Sequence, residues 1–75
     1  MAFYAKFQLE PGADGKERPV RKFGVPESVP LRGNVSRAVA DPDTAAEVAL
    51  GNLRGLDLAL LEIYRDDGTL AKKVV

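Results

Sequence analysis

The chain has no cysteine, no histidine and no tryptophan. Without cysteine there is no disulfide framework, no thiolate nucleophile and no thiolate metal site, a composition suited to a reducing compartment. Without histidine there is no imidazole base, no catalytic triad of the usual kind and no imidazole ligand for a metal. No apolar run approaches the roughly 20 residues of a membrane-spanning helix, and the first residues lack the basic and apolar regions of a signal peptide. The expectation is a cytoplasmic chain with no membrane partner. Repeats, low-complexity tracts and linkers are also missing, so residues 1–75 are expected to form one domain. A domain of this size buries only about 60% of the surface that its unfolded chain exposes.

Net charge is absent too, but only in the sum. Residues 1–40 carry seven basic and four acidic groups and the remainder four and seven, a net of +3 against −3. That asymmetry either forms two surface patches or cancels when strands of the two halves lie side by side.

The clearest structural signals lie between Asp41 and Val75. Asp41 is placed to cap a helix, Pro42 suits its first position because its missing N–H would be unpaired there, and Asp43 faces the positive end of the helix dipole. Ala46, Ala49, Leu50 and Leu53 recur at helical spacing and predict the buried stripe. Leu50→Asp is accordingly expected to unfold the domain. Arg54 suits the negative end, Gly55 suits the left-handed residue that stops a helix, and Gly51 inside it costs about 1 kcal/mol relative to alanine. Leu56 to Tyr64 predicts a strand with two apolar faces, Ala59, Leu61 and Ile63 on one and Leu58, Leu60 and Tyr64 on the other beside Glu62. Asp66, Asp67 and Gly68 form a tight turn of two or three residues, which places Glu62 opposite Lys73 or Lys72 respectively, and Leu70 to Val75 returns from it.

The first forty residues are less sharply patterned. Phe3, Ala5, Phe7 and Leu9 alternate with Tyr4, Lys6, Gln8 and Glu10, the period of a half-buried strand. Pro11 to Gly15 is a loop, and Pro19 to Val25 a returning strand. Pro26 and Pro30 break the chain, after which Leu31, Val35 and Val39 predict a third strand with a bulge at Gly33; a short helical turn over residues 36–40 is the alternative. The fold class is therefore α+β: a small, mostly antiparallel sheet with one helix packed on one face, in the order strand, strand, strand, helix, strand, strand.

No residue set demands catalysis. Asp66 and Asp67 lack the alternating ligand spacing of a calcium loop, and Asp before Gly is what a turn selects. A serine nucleophile at Ser28 or Ser36 would need a base beside it, and the nearby charges are mainly arginine. The run from Gly12 to Lys16 lacks the strand, Gly-Lys-Ser/Thr ending and helix of a phosphate loop. The expectation is a chain that is not an enzyme, with no catalytic residue, metal or cofactor.

Two binding functions remain. The doubly apolar strand points to a protein-binding module that is a homodimer, with Leu58, Leu60, Tyr64 and Tyr4 at the interface, unless the first hairpin folds over that face within the monomer. The alternative is nucleic-acid binding by Lys16, Arg18, Arg21, Lys22, Arg32 and Arg37 against phosphates, with Phe23 or Tyr4 stacking a base. The segment ADPDTAAEVALGNLRGLDLALLEIYRDDGTLAKKVV resembles the strand, capped helix and acidic-glycine hairpin of small uncharacterised accessory proteins of bacteriophages and mobile elements. That resemblance implies binding to a host or phage protein, modulation of a host factor or defence system being one example, and it carries over no catalytic residues.

Overall fold

The computed structural model describes residues 2–75. It has one helix, a four-stranded antiparallel sheet and a separate two-stranded one. The large sheet comprises β1 (Phe3–Leu9), β2 (Arg21–Val25), β5 (Leu58–Arg65) and β6 (Leu70–Lys73) in the spatial order β2-β1-β5-β6. The small one is a hairpin of β3 (Ser28–Pro30) and β4 (Ser36–Ala38), and α1 (Pro42–Asn52) follows it. β5, apolar on both faces, is an inner strand, paired to β1 on one side and β6 on the other.

The helix begins as its sequence dictates. The Asp41 carboxylate accepts hydrogen bonds from the Thr44 amide at 2.7 Å and the Thr44 hydroxyl at 3.1 Å, which satisfies donors that the first turn leaves free. After the helix, Gly55 takes a φ of +84°, where a glycine meets no steric penalty. The buried face differs from the predicted stripe. Thr44, Ala45, Ala46 and Ala49 are buried together with Leu53, whereas Leu50 is 43% exposed. An arc one position wide of the expected one is used because three alanines bring the helix axis close to the sheet, and the bulkier Leu50 is left at the rim.

Beneath the helix lie Phe3 and Ala5 of β1, Val25 of β2, Leu61 and Ile63 of β5, and Val39 from the segment before the helix. The alternation predicted for β1 holds, with Phe3 and Ala5 buried and Phe7 and Leu9 half-buried. In β5 the parity changes. Gln8 pairs with Leu60 but Leu9 pairs with Leu58, so Ala59 is an extra residue in a β-bulge. Leu58 therefore shares the inner face with Leu61 and packs against the core, contrary to its expected place beside Leu60 and Tyr64. Ala59, expected on the inner face, is exposed.

The Asp-Asp-Gly turn combines both predicted registers. The Gly68 amide donates to the Arg65 carbonyl and the Arg65 amide to the Thr69 carbonyl, with Gly68 at a φ of +88°, which is the three-residue form. Tyr64 then pairs with Leu70, but Ile63 pairs with Lys72 and Glu62 with Lys73. A second bulge at Ala71 thus restores the register of the shorter turn.

The predicted third strand over Leu31, Val35 and Val39 is instead two short strands. Val29 pairs with Arg37, and Gly33 sits at the tip with a φ of +74°, in a turn rather than a bulge. Leu31 and Val35 are exposed at that tip, and only Val39 reaches the core. Pro30 is tolerated because a two-stranded ribbon leaves one side of every strand without a ladder partner. Residues 36–38 are strand, so the helical-turn alternative is not realised.

The carboxylates of the helix cap, Asp41, and of the turn, Asp67, make the fold sensitive to acid. Hydrogen bonds from the Thr44 amide and hydroxyl hold Asp41 below the usual carboxylate value, and bonds from the Thr69 hydroxyl and amide do the same for Asp67. A lowered folded-state pKa means that the unfolded chain binds the proton more tightly. The stabilisation is full above the unfolded-state value near 4 and disappears as pH falls through the lowered folded-state values. Asp41→Asn with Asp67→Asn removes the titration and keeps the Oδ1 that accepts from the Thr44 and Thr69 amides, while Asp41 gives up the Oδ2 that accepts from the Thr44 hydroxyl. The double variant is expected to lose thermal stability less steeply than the parent below pH 4 in a calorimetric pH series; parallel curves would contradict this.

Candidate functional site

The face of the large sheet opposite the helix is covered by no helix or strand among the described residues; only at Gln8 does the β1–β2 loop meet it, the Gln8 side-chain amide donating to the Arg18 carbonyl at 2.7 Å and to Glu17 Oε1 at 3.1 Å. The first hairpin does not fold over it, because β2 lies beside β1 in the same sheet. Strand parity puts Tyr4, Lys6 and Gln8 of β1 on this face. Cross-strand pairing adds Lys22 of β2, Leu60, Glu62 and Tyr64 of β5, and Leu70 and Lys73 of β6.

Its centre is an aromatic pair. Tyr4 and Tyr64 are directly opposite in register, and their rings stack at 5.3 Å between centroids and 9° between planes. The Lys22 ammonium lies 5.9 Å from the Tyr4 centroid and that of Lys6 5.8 Å from the Tyr64 centroid, within reach of cation–π attraction. The Tyr64 hydroxyl donates to Glu62 Oε1 at 2.9 Å, and this bond is the main cause that raises the Tyr64 pKa above that of an ordinary tyrosine. Glu62 is opposite Lys6 on one side and Lys73 on the other. The result is an amphipathic patch, half-buried at the tyrosines and exposed at Lys22 and Lys73, with three lysines to two carboxylates, Glu62 and, bonded to Gln8 at the edge, Glu17.

Of the expected protein-interface residues, Tyr4, Leu60 and Tyr64 are together on this face, and Leu58 is not, since the bulge at Ala59 turns it inward. The six basic residues do not share one surface. Arg37 pairs with Glu47 of the helix at 3.1 Å, Arg32 sits in the β3–β4 tip, and Lys16 and Arg18 are in the β1–β2 loop. Arg21 and Lys22 are neighbours in one strand and so point to opposite sides. Phe23 faces inward, edge-on to Phe7 with centroids 5.8 Å apart, and is not available to a base; Tyr4 is on the open face. Lys6 had no signal of its own in the sequence, since only the β1–β5 register brings it to Tyr64, whereas Lys73 opposite Glu62 was one of the two registers that the Asp-Asp-Gly turn allows.

The acidic turn is occupied by its own chain. Asp67 Oδ1 accepts from the Thr69 amide at 2.9 Å and the Thr69 hydroxyl at 2.6 Å, the geometry of a side chain that closes a turn. No family model, curated protein or solved structure matches the chain.

Proposed function

We propose that the protein is a non-catalytic binding module that docks an acidic surface of a protein partner on the open face of its sheet. The observation that supports this reading is the Tyr4–Tyr64 stack flanked by Lys6 and Lys22 on an uncovered face. Tyrosines locked by stacking lose little conformational entropy on binding, and their hydroxyl edges suit a partner that is partly apolar and partly polar. Lys6 and Lys22 beside the tyrosines favour a partner of negative charge.

The same geometry disfavours the nucleic-acid alternative. A base stacks on a free aromatic face, whereas these rings stack on one another and carry ammonium groups at their faces. A homodimer through this face is disfavoured by charge, because it brings together two copies of a patch in which lysines outnumber carboxylates. An accessory role in a bacteriophage or mobile element, acting on a host factor or a defence system, is the setting that the sequence resemblance suggests for such a module.

The test is an affinity pull-down from the native host with the parent and with Tyr64→Ala, each with and without nuclease, alongside light scattering of the pure protein. A protein retained after nuclease treatment, and bound on the order of tenfold more weakly by Tyr64→Ala, is the expected result. Recovery of nuclease-sensitive material alone would replace this reading with nucleic-acid binding. A dimer of about 16 kDa that Leu60→Lys converts to monomer would replace it with self-association.

A further inference from the structure

A second site lies on the opposite, inner side of the sheet and involves none of the residues of the tyrosine face. The helix covers the end of the inner face that carries Phe3, Ala5, Leu61 and Ile63, and the chain leaves it at Leu53. Past that point the sheet continues without cover. There a cavity of about 330 Å³ is lined by Phe7, Leu9, Pro19 and Leu56 together with Arg18 and Arg21. Leu56 is 48% exposed although it belongs to this otherwise apolar wall.

The lining has a chemical polarity. Four apolar side chains form the wall, both charged side chains are guanidinium groups, and no carboxylate is among them. Arg21 is opposite Phe7 in the β1–β2 register and so emerges on the same face as the apolar floor. It has no ion pair among the described residues. Arg18 has only a loose one, 3.9 Å from the Asp14 carboxylate in exposed surroundings, which competes weakly with a ligand. Its guanidinium lies against Gly12, in the space that a Cβ at that position would occupy. The glycine therefore permits the placement of Arg18.

The geometry points to a binding site for a small amphipathic anion, its apolar body on Phe7, Leu9, Pro19 and Leu56 and its carboxylate on Arg18 and Arg21. The volume is within the range of small-ligand pockets, about 300–1,000 Å³, and a guanidinium fork matches a carboxylate in two hydrogen bonds at once. The carboxylate has two possible sources, a free medium-chain acid or the apolar C-terminal residue of a peptide, and the chemistry at the site is the same for both.

Amide chemical shifts of the full chain, titrated with octanoate, with octanol, and with a short peptide ending in leucine as free acid or amide, test the site. Octanoate should shift the Phe7, Leu9, Arg21 and Leu56 amides saturably, and octanol should not. Arg21→Gln should weaken octanoate by about tenfold, the value of a lost charge-assisted hydrogen bond. Gly12→Ala should weaken it too, with an unchanged melting temperature, because only the far end of Arg18 has to move. Tyr64→Ala should leave the titration intact, which separates this site from the tyrosine face. A stronger response to the free-acid peptide than to octanoate assigns a chain terminus as the source; the reverse assigns a free acid. Octanol that binds as well as octanoate, no saturable shift with either acid, or unchanged affinity in Arg21→Gln would overturn the proposal.

Discussion

Leu61→Ala is expected to lower the stability of the domain by about 2–5 kcal/mol, out of a total of roughly 5–10 for a domain of this size. Leu61 has no exposed surface, and it sits on an inner strand of the sheet with Ile63 as its neighbour on the inner face. Truncation removes apolar burial and leaves a cavity, which the surrounding β1, β6 and helix residues can close only by breaking their register. Leu50→Asp is the matched comparison. Leu50 is on the helix that covers Leu61, yet its 43% exposure lets an aspartate remain in water, so the change should stay within about 0.5 kcal/mol of the parent. Urea denaturation followed by circular dichroism decides the matter through the two midpoints. Equal losses in the two variants would mean that the helix sits on the sheet with the rotation expected from the sequence pattern.

The second large effect is expected from the opposite kind of change. Ala49 has no exposed surface and lies where the helix meets the sheet, so Ala49→Leu inserts three carbons into a seam with no room for them. The helix has to lift, at about 1–3 kcal/mol. Two residues on, Gly51 is exposed and a Cβ there meets nothing, so Gly51→Ala should stabilise the same helix by up to about 1 kcal/mol. Thermal melts of the two variants should therefore move in opposite directions. Two shifts of the same sign would show that the small residues of this helix are not where the close approach occurs.

The two substitutions at Leu50 and Ala49 also show how far periodicity alone could go. Helical spacing identified Ala46, Ala49 and Leu53 but could not distinguish a stripe centred on Ala45–Ala49 from one shifted toward Leu50, because each is apolar. The choice depends on how close the helix can come to the sheet, and that is set by the alanines and by what lies beneath them. Of the candidate site, Tyr4, Leu60 and Tyr64 could be identified as residues on an open strand face, but nothing local indicated that the two tyrosines are partners 60 positions apart in the chain.

What the sequence determined by itself are the features whose partners lie within a few residues. The Asp41 cap bonds to Thr44, Gly55 takes the left-handed conformation just past the helix, Gly68 takes it in the Asp-Asp-Gly turn, and the alternation of β1 sets which of its side chains face inward. Each rests on a steric preference or a hydrogen bond that the local chain can satisfy before anything else has formed. What only the tertiary structure decided are the features in which one residue changes parity. The bulge at Ala59 turns Leu58 into the core, the bulge at Ala71 brings Lys73 opposite Glu62, and the hairpin at Gly33 replaces a single strand. A strand has a period of two, so one inserted residue moves every later side chain to the other face, and whether it is inserted depends on how well the neighbouring strand and the helix pack against it.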